Sequence, residues 1–159
     1  MSKSFLLLLA FLTCAAVTSI GQGRALTFQE AENQGVPFQH LDSLYKSAVH
    51  TDEHLAVFKT TEEQKSLQVA YAKLLQDLGN FLRENGFKWE KQIRGANRIY
   101  FRPDGSIDYF LFHFPEGQLA PDKEKKFNRL LSLFIQDYKF ELTAGEKFAQ
   151  CSAVKYSDI

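Results

Sequence analysis

The sequence predicts an α+β fold, with N-terminal helices preceding a ββαβ module built on a small antiparallel three-stranded sheet. Three observations predict it: a hairpin from Asn97 to Pro115, two amphipathic helical stripes, and a last strand from Phe148 to Tyr156. The division that follows is a signal peptide at residues 1–21, a helical N-terminal region at 22–95 and the ββαβ module at 96–159.

Near the start of the chain Lys3 is followed by an uncharged run from Ser4 to Ile20, dominated by Leu, Ala, Phe and Val. That is the pattern of a secretory signal peptide, its apolar stretch being short for a bilayer crossing of about 20 residues. Ser19-Ile20-Gly21 places small residues where a signal peptidase inspects them. Cleavage is expected after Gly21, with Gly23 as second choice, so the mature chain is exported to the periplasm or beyond and keeps no transmembrane span. Two competing readings stand beside it: an uncleaved N-terminal anchor, and a lipoprotein in which Cys14 is the modified residue, although Thr13 occupies the position before it where a small residue is expected.

Beyond the signal segment, Pro37 opens a helix carrying Phe38, Leu41, Leu44, Tyr45 and Ala48 on one face. His50-Thr51-Asp52-Glu53-His54 interrupts that periodicity and reads as a solvated connection, because no third ligand lies at a recognisable metal spacing. The clearest helix follows. Thr60 with Glu63, or Thr61 with Gln64, forms a capping box, and Leu67, Tyr71, Leu74, Leu75, Leu78 and Leu82 make one buried stripe. Asn85-Gly86 ends it, with Gly86 supplying the left-handed conformation of a helix terminus.

Arg102-Pro103-Asp104-Gly105 is the hairpin turn, in which Pro presets φ and Gly supplies a positive φ. It places Phe101 opposite Ile107 and Ile99 opposite Tyr109, with Leu111 continuing a core face. The other face then carries Arg98, Tyr100, Asp108, Phe110 and Phe112, either covered by the N-terminal helices or available for binding. After a loop containing Pro121, Asp122 caps a helix whose stripe is Phe127, Leu130, Leu131, Phe134 and Tyr138. In the last strand, Ala149, Cys151 and Ala153 are small enough to lie beneath that helix. Cys151 is the one cysteine of the mature chain and reads as a buried small hydrophobe.

Lys and Arg together number 19, as do Asp and Glu, with no long block of one sign. That balance excludes a strong electrostatic footprint for nucleic acid. The 15 Phe and 6 Tyr supply a core that needs no disulfide. Catalytic signatures are absent from the sequence: Ser106 sits in a hairpin turn, His113 falls on the core-facing side of a strand, and Asp104 and Asp108 serve the turn and its cross-strand neighbours Arg98 and Tyr100. No enzyme activity, cofactor or metal is expected.

Over roughly the last 65 residues the punctuation resembles the C-terminal domain of TonB-type energy transducers. The residues that carry the resemblance are Ile99 to Ile107 around Pro103-Asp104-Gly105, the helix from Phe127 to Tyr138, and Tyr138-Lys139-Phe140-Glu141-Leu142-Thr143-Ala144-Gly145 leading to Val154-Lys155-Tyr156. Lys88-Trp89-Glu90 stands where that family commonly has Tyr-Pro, and Leu142 where Pro is frequent. The resemblance implies a binding role: an extended peptide, such as a segment of an outer-membrane receptor, pairs with the sheet edge Phe148, Gln150, Ser152, Val154, Lys155 and Tyr156. The other expectation is a structural or small-ligand-binding envelope protein using the aromatic face of Tyr100, Phe110 and Phe112.

Overall fold

The computed structural model describes residues 22–158, so the signal segment with its cleavage site at Gly21 and the Cys14 alternative lie outside the described residues. In chain order the elements are β1 (Arg24–Thr27), α1 (Phe28–Asn33), α2 (Phe38–Leu44), β2 (Lys46–Ser47), a 3₁₀ turn (Glu53–Leu55), α3 (Thr61–Glu84), β3 (Ile93–Phe101), β4 (Ile107–His113), α4 (Pro121–Asp137) and β5 (Phe148–Tyr156). The fold is α+β. Its sheet has five strands rather than the expected three, in the order β1-β4-β3-β5-β2. The central β4, β3 and β5 run antiparallel, and the N-terminal region adds one short parallel strand at each side.

Local chemistry accounts for the long elements. Thr60 caps α3 by accepting from Glu63 N, and the Glu63 carboxylate reaches back to Thr60 N, which satisfies two of the donors a helix start leaves orphaned. Gly86, at φ +67°, ends the helix behind the Asn85 cap. α4 differs from expectation: Ala120 is the cap residue and makes no side-chain bond, Pro121 takes the first turn, and Asp122 lies inside it, where its charge suits the helix dipole. α1 was not visible to periodicity because it has only six residues, yet Thr27 and Glu30 give it a complete capping box. α2 stops at Leu44, which leaves Leu44 exposed, while Tyr45 is buried from extended backbone and Ala48 is buried in the bend after β2.

α3 and α4 cover one face of the sheet, packing Leu74, Leu78, Phe127 and Leu131 against Ile99, Phe101, Phe110, Phe112 and Phe148. α1 and α2 cover part of the other, where Leu26, Ala31, Leu41 and Tyr45 enclose Tyr100 and Leu111. The register between β3 and β4 decides which residue goes where. Phe101 pairs with Ile107 as expected, but Tyr100 pairs with Tyr109 and Ile99 with Phe110. Asp108 is therefore the extra residue of a β-bulge, and a one-residue slip moves every later side chain to the opposite face. Phe110 and Phe112 join the α3/α4 core, whereas Tyr100, Tyr109 and Leu111 point to α1 and α2. The expected aromatic face is thus corrected twice over: Tyr100, Phe110 and Phe112 do not share a face, and each is 0% exposed.

The turn itself stands as expected. Gly105 has φ +81°, and a Cβ there would lie 2.6 Å from the Phe140 carbonyl oxygen. Phe140 N donates to Gly105 O at 2.9 Å and Ala144 N to Pro103 O at 3.1 Å, so the connection between α4 and β5 is laced to the hairpin turn. Lys139 adds an ion pair to Asp104, whose carboxyl is held well below its ordinary range by Lys139 first and then by Ser106.

Candidate functional site

The outer side of β5 is where the sheet is left unfinished. β2 pairs with β5 only through Lys46 with Phe148 and Ser47 with Ala149. Lys46 N donates to Lys147 O at 3.0 Å and Ala48 N to Ala149 O at 2.8 Å. The chain then leaves the edge: Ser47 Oγ donates to Val49 O at 2.6 Å, and Ser47 and Ala48 turn their carbonyls to Val57 N and Phe58 N on the far side. Among the described residues, none pairs with the outer edge of β5 beyond Ala149.

The direction of the free groups follows from the strand's period of two. Because the carbonyls of Lys147 and Ala149 face outward, the backbone groups of Cys151, Ala153 and Lys155 do so as well, since the β3–β5 register runs without a shift from Phe148 to Tyr156. Ser152 turns its N–H and C=O toward Asn97 of β3. The edge therefore offers three donor–acceptor pairs, with the Cys151 carbonyl already touched by Gln150 Nε2 at 3.2 Å.

Side chains sort by the same parity, which corrects the expected edge set. Phe148, Val154 and Tyr156 are buried in the α3/α4 core and are not available to a partner. Gln150 and Ser152 are half-buried on that face, and the Ser152 hydroxyl is bonded to Tyr71 Oη. Lys155 is exposed as expected. Cys151 and Ala153, which the sequence pattern puts beneath a helix, are instead exposed and point to the other face, past the ends of α1 and α2. The signal that locates them was present: Phe148, Val154 and Tyr156 are all even-numbered, so the odd-numbered side chains belong to the opposite surface.

β5 is firmly held from behind. Tyr156 stacks on Trp89 with ring centroids 4.7 Å apart and accepts from Asn97 Nδ2 at 2.7 Å; burial pushes its hydroxyl pKa up. Past the strand, the Asp158 carboxylate receives Trp89 N and Glu90 N, both at 2.8 Å, and these two bonds hold its pKa below the ordinary value. Glu90 has φ 65°, a left-handed backbone that aims both amides at one carboxylate.

The exposed face beside the edge carries two shallow hollows. One lies over Ala96, Cys151 and Ala153 and is bounded by Phe28 and Arg98; the next is formed by Arg94, Ala153 and Lys155. Other sequence candidates lie elsewhere. His113 is exposed and stacks on Phe28 at 5.7 Å rather than entering the core, because the Asp108 bulge reverses its face. Arg98 and Tyr100 bind Asp42, while Asp108 accepts from Tyr45 Oη at 2.6 Å and pairs with Arg102. His50 and His54 flank Asp52 in local backbone contacts, and among the described residues no three His, Cys, Asp or Glu side chains are grouped to hold a metal ion. Nor is any described helix long and apolar enough to cross a membrane.

Comparison with family models, curated proteins and solved structures gives no match.

Proposed function

We propose that this chain is an exported, non-enzymatic protein-binding domain of the TonB-like kind, which pairs an extended peptide with the outer edge of β5. The observation that supports this reading is the unpaired run from Cys151 to Lys155 in a strand that is otherwise fixed by β3, Trp89 and Asp158. An edge held in place before binding loses little conformational entropy when a partner adds to it. Each net hydrogen bond contributes about 0.5–1.5 kcal/mol, so the three outward donor–acceptor pairs supply about 3–9 kcal/mol against the cost of association, and side-chain contacts with the partner must add to them for a stable complex. A segment of an outer-membrane receptor is the partner that the TonB resemblance implies.

Random nonapeptides displayed on phage and selected on the mature protein provide the test. Binding of a selected peptide is followed by calorimetry while its backbone amides are N-methylated one at a time. Methylation at every second position should weaken binding at least tenfold, and methylation between them should change it little, because only alternate amides of an added strand face β5. Loss without a period of two, or no loss anywhere, overturns the edge reading.

A further inference from the structure

We infer that the added strand carries a carboxylate side chain over the Arg94–Lys155 pair, two residues from a large apolar side chain; this rests on the edge reading above. Arg94 of β3 and Lys155 of β5 are directly opposite in the register, so both side chains leave the same face of the sheet and both are exposed. Like charges directly opposite each other are destabilising in a sheet. Neighbouring cations of this sheet are answered by acids within the chain: Arg98 by Asp42, Arg102 by Asp108, Lys147 by Asp108, and Lys46 by Glu146. Among the described residues Arg94 and Lys155 have no ion-pair partner.

An added strand would supply one. Its residue opposite Lys155 projects from the same face, with Cβ atoms about 5 Å apart, and Arg94 lies one further strand away at about 10 Å, within reach of a long side chain. Asp or Glu at that position meets two cations, and the repulsion between them becomes attraction to a shared anion. Two residues along, the next side chain on that face stands opposite Ala153 and over the hollow floored by Ala96 and Cys151. Small residues there leave room for a Leu, Phe or Tyr from the partner, whose apolar surface is removed from water on docking. Charge complementarity and the hollow thus select one occupant: an extended acidic segment of another protein, read in steps of two residues.

The same phage-displayed nonapeptides test this, selected in parallel on the wild-type protein and on the double variant Arg94→Glu/Lys155→Glu, with Arg94→Gln/Lys155→Gln as a milder companion. Wild type should enrich Asp or Glu at one position, two residues from a large apolar residue. The charge-reversed variant should enrich Lys or Arg at that position, and the Gln variant should show no charge preference there. A peptide selected on wild type should bind the reversed variant at least tenfold more weakly, with the difference shrinking as salt is raised. Peptides that keep the alternating N-methyl pattern but have no acid at a fixed position overturn this inference and leave edge pairing standing. Acidic peptides indifferent to N-methylation overturn both, as does a library from which nothing is enriched.

Discussion

Against the face carrying Ile99, Phe101, Phe110 and Phe112 the chain lays helices of 24 and 17 residues, whereas the opposite face receives helices of six and seven. The difference sets what each face does. The long helices exclude water across β3, β4 and β5, and interlocked rings run through them, such as Phe127 against Phe112, Phe114 and Tyr156 at 5.0, 5.3 and 5.8 Å. The short helices close over Tyr100 and Leu111 and reach Ala149, so the odd-numbered side of β5 stays bare only from Cys151 onward. Helices that short are marginal alone. They depend on local fastenings, the Thr27–Glu30 capping box for one and the pairing of Asp42 with Arg98 for the other. A sheet with one heavily covered and one lightly covered face holds its edge strand firmly and leaves open surface beside it.

The largest expected effect separates the two faces by stability. Phe127→Ala removes a ring that is 0% exposed at the centre of the thick layer, and should cost about 4 kcal/mol. Leu41→Ala, in the thin layer and 2% exposed, should cost about 2 kcal/mol, because a seven-residue helix can settle into the space left behind. Urea unfolding monitored by circular dichroism measures both. Equal costs would mean that the two faces carry the fold equally.

A sharper contrast lies within two adjacent residues. Ser152 directs its amide at β3, so Ser152→Pro removes a ladder bond and should cost about 3 kcal/mol. Ala153 directs its amide outward, so Ala153→Pro loses no internal bond and should cost about 1 kcal/mol or less, Pro being tolerated on the free side of an edge strand. The same Ala153→Pro protein should no longer bind the selected peptides. A reversed order of the two stabilities would place the outward amides on the even-numbered residues and move the candidate site with them.

How much of this was legible in the sequence depended on the length of the signal. The 24 residues of α3, with Thr60, Glu63 and Gly86 at its ends, state their own boundaries, and Pro103-Asp104-Gly105 states the turn. The bounds of β5 were also legible, from Phe148 to Tyr156. β1 and β2 were not, since four residues and two residues hold no periodicity; their place is decided by pairing with β4 and β5. The faces of Phe110 and Phe112 were hidden for a different reason: a single bulge at Asp108 reverses them, and bulge position is a property of the paired strands rather than of either one. At the candidate site, Lys155 was named from sequence, but the exposure of Cys151 and Ala153 depends on where α1 and α2 stop, which is decided by packing.

The smallest expected effect concerns Cys151 and probes the bare face directly. A thiol on the covered side of the sheet would be protected until the protein unfolds, and its replacement would leave a cavity or an unpartnered hydroxyl costing more than about 1 kcal/mol. Cys151 is exposed on the odd-numbered side, so Cys151→Ser should change stability by less than about 0.5 kcal/mol. For the same reason the native thiol should be alkylated by iodoacetamide without denaturant, within a few-fold of the rate in the unfolded chain, with the labelled peptide identified by mass. Prior addition of a selected peptide should slow that labelling, because a strand on the outer edge of β5 places its own side chains over the hollow above Ala96 and Cys151. A native thiol that reacts only on unfolding would show that the thin layer extends over β5, and the edge would be closed where the proposal needs it open.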